Sequence, residues 1–223
     1  MVLKKRKRRE HRLYPVVARY LNRRFECYAT GLNRGTRHGR VDVVGLRDTG
    51  RDLSGAFEVI GVEVKAGYQP FSTAAGQAKG YSVYANRCYL ADARLGPRPF
   101  TLDEIGIASA LEIGLMAISH GRVNEVLAAP HKQPIEALQL ELIEKLGCSA
   151  CTLCGSLFLR SFDGTWSSEV SRAGLDKAAE REKGYIYWLF ELAKRRRRDV
   201  RSYVYQRRYV CADCVRAFSQ KAR

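Results

Sequence analysis

Residues 41–67 read VDVVGLRDTGRDLSGAFEVIGVEVKAG. Two apolar runs, VDVVGL and AFEVIGVEVK, flank a polar stretch, RDTGRD, with Thr49-Gly50 at its centre. This is the pattern of a strand, a turn and a returning strand, with Gly61 marking a bulge. Asp42, Glu63 and Lys65 interrupt the apolar runs. Side chains alternate between the faces of a strand, so Glu63 and Lys65 project together and Val62 and Val64 oppositely. If the two strands pair, Asp42 approaches Glu63. Two such carboxylates repel and are costly to bury without a counter-ion. A divalent cation removes the conflict, because Mg²⁺ takes oxygen ligands from a few carboxylates and completes its shell with water and phosphate. A lysine beside it can orient water or stabilise developing charge. A surface salt bridge on a strand edge is the alternative reading of the Glu63-Val64-Lys65 triplet.

Ahead of these strands, Leu13, Val16, Val17, Tyr20 and Leu21 recur at helical spacing. They predict a helix from about Glu10 to Phe25, with Pro15 in its first turn. A basic run, residues 4–9, precedes it as a tail. FECYAT then reads as a short strand and GLNRGTRHG as a loop. Arg37, His38 and Arg40 lie in that loop, able to meet phosphate or simply to face solvent. Behind the strands, residues 73–86 suit a short helix and 87–91 a strand. A Pro-rich loop, RLGPRPFT, follows. ALEIGLMAIS and RVNEVLAAP read as a strand pair turning at His120-Gly121, and residues 134–146 as an amphipathic helix. The order predicts an α/β core over residues 10–146 and a separate module over 147–223. In the module, a long basic helix is expected near 173–198, then a strand, SYVYQRRYV.

At 223 residues and 46% hydrophobic content, a globular fold is expected. No apolar run is long enough to span a bilayer, and no apolar signal core follows the basic start, so a cytoplasmic protein with no membrane partner is expected. The net charge is +16. Residues 1–24 carry ten Lys/Arg against one acid, and residues 172–223 fifteen against six. The middle is close to neutral. Basic ends around a neutral core point to a polyanion, foremost nucleic acid, with salt-sensitive binding. Within the module, Arg195, Arg196, Arg197, Arg198, Arg207 and Arg208 are interleaved with Tyr203, Tyr205 and Tyr209. Guanidinium groups grip phosphates, and tyrosines stack on bases or pack.

The core resembles the PD-(D/E)XK nuclease superfamily. The resemblance rests on Asp42 in GRVDVVG, the triplet Glu63-Val64-Lys65, and the helix with Gln77 and Tyr81 in GQAKGYSVYANRCYLA. The Gln-xxx-Tyr spacing is similar to that of the RecB-like branch. EIGLMAISHGRVNEVLAAP resembles the strand pair that closes the sheet there. Val41 stands where the nominal motif has proline. The resemblance implies a restriction-endonuclease-like central mixed sheet flanked by helices. It also implies a Mg²⁺- or Mn²⁺-dependent hydrolase of DNA phosphodiesters. Asp42 and Glu63 would hold the metal, Lys65 would assist the attacking water, and Gln77 would position the site or strand. Glu10 would be an added metal ligand, or only an acid favoured by the helix dipole. Tyr81 would serve the site or pack in the core. The early acid also resembles the archaeal Holliday-junction resolvases, which are dimers.

Seven cysteines include two CxxC pairs, Cys151/Cys154 and Cys211/Cys214. Each pair can supply two thiolates to one tetrahedral Zn²⁺, giving a Cys₄ zinc module whose metal fixes a small fold. Gly155 suits the tight turn of a zinc knuckle. Cys148 offers a second spacing with Cys151. Some RecB-like nucleases instead bind an iron–sulfur cluster, with one cysteine ahead of the core, a place Cys27 would fill. Cys27 and Cys88 otherwise read as small core residues. Two further readings stand beside the nuclease: a non-catalytic nucleic-acid-binding zinc protein on the same fold, and a structural zinc protein whose cutting is directed by a nucleoprotein partner. A homodimer is left open.

Overall fold

The computed structural model describes residues 2–36, 38–52, 55–67, 69–94, 96, 99–151 and 154–159, the side chains of 2–9 and 51–56 excepted. The chain divides into two compact units. One is Met1–Thr49 with Glu58–Leu146, and the other is Gly50–Phe57 with Gly147–Arg223.

The first helix, α1, runs Val2–Phe25. It starts well ahead of Glu10, because Lys and Arg propagate a helix almost as well as Ala and no Gly or Pro interrupts residues 2–9. Pro15 therefore stands inside the helix, not in its first turn, and leaves the His11 carbonyl without its intrahelical donor. Next, β1 (Cys27–Thr36) and β2 (Gly39–Asp52) form an antiparallel hairpin. The first part of the stretch expected as a loop, residues 31–36, is strand, since ladder pairing with the buried β2 outweighs the weak propensity of its glycines and asparagine. Strand β2 continues through RDTGRD to Asp52, past the expected turn, and β3 is Gly55–Lys65.

Helix α2 covers Phe71–Gly80, and a 3₁₀ turn, Tyr81–Val83, follows it. Strand β4 is Arg87–Ala93. Helix α3, Leu102–Ala110, fills the stretch between the Pro-rich loop and ALEIGLMAIS, to which the sequence reading gave no element. Its signal is TLDE: the Glu104 amide donates to the Thr101 hydroxyl at 3.2 Å, and the Thr101 amide to the Glu104 carboxylate at 2.9 Å. That reciprocal capping box fixes the helix start. Strands β5 (Gly114–Ser119) and β6 (Arg122–Leu127) turn at His120-Gly121 as expected, both with positive φ (47° and 72°). Helix α4 is Glu136–Lys145.

The six strands form one mixed sheet in sequence order, with β3, β4 and β5 parallel and the β1/β2 and β5/β6 pairs antiparallel. Tyr14, Val17 and Leu21 of α1 pack on Val43, Ile60, Val62, Val64, Tyr89 and Met116. This face is apolar, as the alternation in β3 requires. Ala74, Ala75 and Ala78 of α2 are buried, and α2 packs against β4. The β3/β4 register runs without interruption through Gly61, so there is no bulge against β4. Gly61 is instead a point of close approach: a Cβ there would lie 3.2 Å from Ala85 Cβ and 3.3 Å from Tyr81 Cβ. No described helix is long and apolar enough to cross a membrane.

In the second unit, β7 (Cys148–Ala150) and β8 (Leu157–Leu159) form a short antiparallel pair. The basic helix, Cys211, Cys214, Arg195, Arg196, Arg197, Arg198, Arg207 and Arg208 lie outside the described residues.

Candidate active site

Asp42, Glu63 and Lys65 come together where β2 and β3 lie side by side. Asp42 Oδ2 accepts the backbone N–H of Val64 at 3.0 Å. The residue between Glu63 and Lys65 thus anchors the carboxylate of the neighbouring strand. Asp42 Oδ1 accepts the Tyr14 hydroxyl from α1 at 2.7 Å. Glu63 is 5% exposed and Lys65 6%. Lys65 Nζ donates to Glu63 Oε1, and the Tyr81 hydroxyl to Glu63 Oε2. Gly61 makes this last bond attainable, because a side chain there would push Tyr81 away.

Burial raises the pKa of the Glu63 carboxyl, and the charge of Asp42 raises it further against the hydrogen bonds from Lys65 and Tyr81. Glu10 also belongs to the cluster. Burial raises its pKa most; Lys65 opposes the rise, and Asp42 and Asp92 reinforce it. The Tyr14 and Tyr81 phenols are both pushed upward, by burial first and then by the carboxylates they touch. Both therefore stay protonated and act as donors that orient Asp42 and Glu63.

Gln77 does not join the cluster. It is exposed on α2 and makes no hydrogen bond among the described residues. The α-helix ends at Gly80, and Tyr81, its C-cap, opens a 3₁₀ turn and is buried.

Two participants escaped the sequence reading. Tyr14 was not among the residues that carry the helical spacing of α1. Asp92 was passed over because the strand was expected to end at Ala91. It is 3% exposed and pairs in register with Lys65. Its Oδ1 accepts the Gly67 amide at 2.8 Å and its Oδ2 accepts Arg94 Nε at 2.8 Å. Arg94 also reaches Glu104 at 3.0 Å and lies over the Phe100 ring. Gly67 has φ +78°, and a Cβ there would meet the Ala93 carbonyl at 2.9 Å. The turn leaving Lys65 is therefore pinned to β4. An acid at the C-terminal end of a strand beside an ExK strand is the signal that could have found Asp92.

Among the described residues, no three His, Cys, Asp or Glu side chains stand close enough together to hold one metal ion. In the second unit, the Cys154 amide donates to Cys151 Sγ at 3.4 Å, and the Gly155 amide to the Cys151 carbonyl at 2.8 Å. Gly155 has φ +74°. Cys148 is fully buried, with its thiol pushed up to about 11. Burial likewise pushes the Cys27 and Cys88 thiols up to about 12, as for core cysteines.

No family model matches the chain, and no curated protein matches it. A solved structure of a protein of unknown function from Silicibacter pomeroyi is similar over 77% of this chain and 90% of that one, at 21% identity and a TM-score of 0.44.

Proposed function

We propose that this chain is a Mg²⁺- or Mn²⁺-dependent DNA nuclease on a restriction-endonuclease-like core. The observation that carries the reading is the bond from the Val64 amide to Asp42, which sets Asp42, Glu63 and Lys65 around one point on adjacent strands. The donors are oxygens: Asp42 and Glu63 supply the carboxylates, Lys65 pairs with Glu63, and Glu10 lies within electrostatic reach of Lys65 and Asp42. Burial first, and then the charge of Asp42, raises the carboxyl pKa values of Glu10 and Glu63. Mg²⁺ needs only one or two carboxylates, and each Asp42 oxygen keeps a lone pair beyond its hydrogen bond, so the donor set fits. A divalent cation here would lower the pKa of a bound water and offset charge on the attacked phosphate. Lys65 then turns from Glu63 toward that water or the phosphate, while Tyr14 and Tyr81 hold the two carboxylates in place.

In the same reading, Cys151 and Cys154 with Cys211 and Cys214 hold a structural Zn²⁺. The amide directed at Cys151 Sγ supports it, since such a bond stabilises a thiolate. Buried Cys148 is the poorer ligand. The arginine-rich segment of this module binds DNA, and the protein works in the cytoplasm. A second reading, a non-catalytic nucleic-acid-binding protein, is favoured by the fact that both Glu63 oxygens already have protein partners.

Cleavage of labelled single strands, blunt duplex, flaps and four-way junctions, with Mg²⁺, Mn²⁺ or EDTA, separates the two. The nuclease reading requires metal-dependent cutting that is lost in a Glu63→Ala variant still able to bind DNA. Salt-sensitive binding with no cutting of any substrate selects the second reading.

A further inference from the structure

Cations in the first unit fall into two groups. Arg47, Lys79, Arg87, Arg94 and Lys132 each pair with a carboxylate, as Lys65 does. Arg12, Arg19, Arg23, Arg122 and Lys145 have no acidic partner among the described residues, and neither do the exposed Arg34 and Arg40. Both sit on the β1/β2 hairpin that leads into Asp42. In the register, Arg34 lies opposite Val41 and Arg40 opposite Gly35. Leu32 opposite Val43 and Arg34 opposite Val41 put Asn33 at the level of Asp42. The Thr36 hydroxyl donates to the Gly39 carbonyl at 3.1 Å and closes the hairpin end.

The two side chains are also seated. A Cβ on Gly31 would lie 2.9 Å from both Cγ and Nε of Arg34, and one on Gly35 would lie 3.6 Å from Cγ of Arg40. Each arginine stem lies over a glycine, so less side-chain freedom remains to be lost when a ligand binds. At about 3.3 Å per strand residue, Arg40 is roughly 7 Å along the chain from Asp42. That offset suits a phosphate neighbouring the one presented at Asp42. A cluster with surplus acid repels a polyanion, and neighbouring unpaired guanidinium groups offset that repulsion.

We infer that the β1/β2 hairpin is a phosphate clamp for DNA, in which Arg34 and Arg40 hold the strand phosphates next to the one presented at Asp42 and Glu63. The identity of the partner rests on the nuclease reading; the location of the clamp does not. The test is fluorescence anisotropy with a fluorescein-labelled DNA duplex, in EDTA and over a salt series, using the full chain. Arg34→Gln/Arg40→Gln should weaken binding about tenfold or more and lower the slope of log affinity against log salt by roughly 2, about 0.9 per lost phosphate contact. Arg40→Gln alone should lower it by about 1 and guards against misfolding of the double variant. Arg122→Gln/Lys145→Gln, the control pair elsewhere in the unit, should leave the slope unchanged. An unchanged slope in both hairpin variants, or an equal loss in the control, overturns the clamp. Because cleavage plays no part in EDTA, wild-type cutting with an unchanged variant slope sinks the clamp and spares the nuclease. A lowered slope without wild-type cutting does the reverse.

Discussion

Strand β3 carries a buried acid near each end, and the two live in opposite electrostatic company. Glu58 is 1% exposed. Its Oε1 pairs with Arg87 at 2.6 Å and its Oε2 with Arg47 at 3.4 Å, and His131 stands 4.0 Å away. Arg87 also donates to the Ala129 carbonyl at 2.6 Å. One carboxylate faces two guanidinium groups. Beside it, Asn86 accepts the Val59 amide at 2.8 Å and the Gln139 side chain at 2.5 Å, tying β3 to α4. This end is closed and balanced. At the other end Glu63 has one ammonium partner and shares it with two further acids, Asp42 and Glu10. Burial alone therefore does not mark function. What sets the Glu63 end apart is the charge of Asp42, which the proposed nuclease reading assigns to a bound cation.

Removing the balanced acid should cost the most. Glu58→Ala leaves two arginines partly buried without their anion, and breaking such a pair typically costs about 3–5 kcal/mol. For a chain of this size that is a fall in Tm of roughly 10 °C, readable by circular dichroism. Glu63→Gln should instead hold or raise Tm in EDTA, since the site disfavours the charged form that Gln replaces. A comparable loss from both variants would erase the distinction between the two ends.

Gly61→Ala comes next. Its methyl group would press on Ala85 and Tyr81, an overpacking worth about 1–3 kcal/mol. The loss should appear in Tm and, if Tyr81 orients Glu63, as a fall in metal-dependent cleavage larger than that of Tyr81→Phe.

The pH dependence sharpens the comparison further. Glu63 and Glu10 have folded-state pKa values above the ordinary 4.5. Their contribution to stability is complete below that value and is lost as pH rises through the raised folded values. A bound cation offsets this loss. Mg²⁺ at about ten times its Kd stabilises by about 1.4 kcal/mol, so differential scanning fluorimetry should show an upshift of a few degrees at pH 8 that vanishes near pH 4. Glu63→Gln should shrink the upshift, whereas Glu58→Ala should leave it. Smallest is Thr101→Ala, which removes the α3 cap at about 1 kcal/mol and should lower Tm by a few degrees with no change in the Mg²⁺ response.

Much of the site was legible because β alternation is strict. Glu63 and Lys65 had to share a face, and a strand pair had to bring Asp42 near them. Glu10 was legible as an acid on an apolar-striped helix, though not its place beside Lys65. Gln77 was expected to share a helix face with Tyr81, whereas Gln77 is exposed and Tyr81 is buried. Tyr14 and Asp92 were missed because their roles depend on partners 28 and 25 residues away, at Asp42 and Gly67. The second half of β1, from Gly31, was read as loop because local propensity carries no account of the ladder it joins. Helix α3 was missed even though its capping box stood in the sequence.

Local pattern determined the strands around Asp42, Glu63 and Lys65, the amphipathic α1, the turn at His120-Gly121 and the charge balance of the chain. These follow from side-chain periodicity and backbone preference, which act over a few residues. Tertiary structure alone decided that Asp42 binds the Val64 amide, that Gly61 admits Tyr81 to Glu63, and that Asp92 pins the turn after Lys65. Each of those depends on which strand lies beside which and in what register, and long-range packing sets that register.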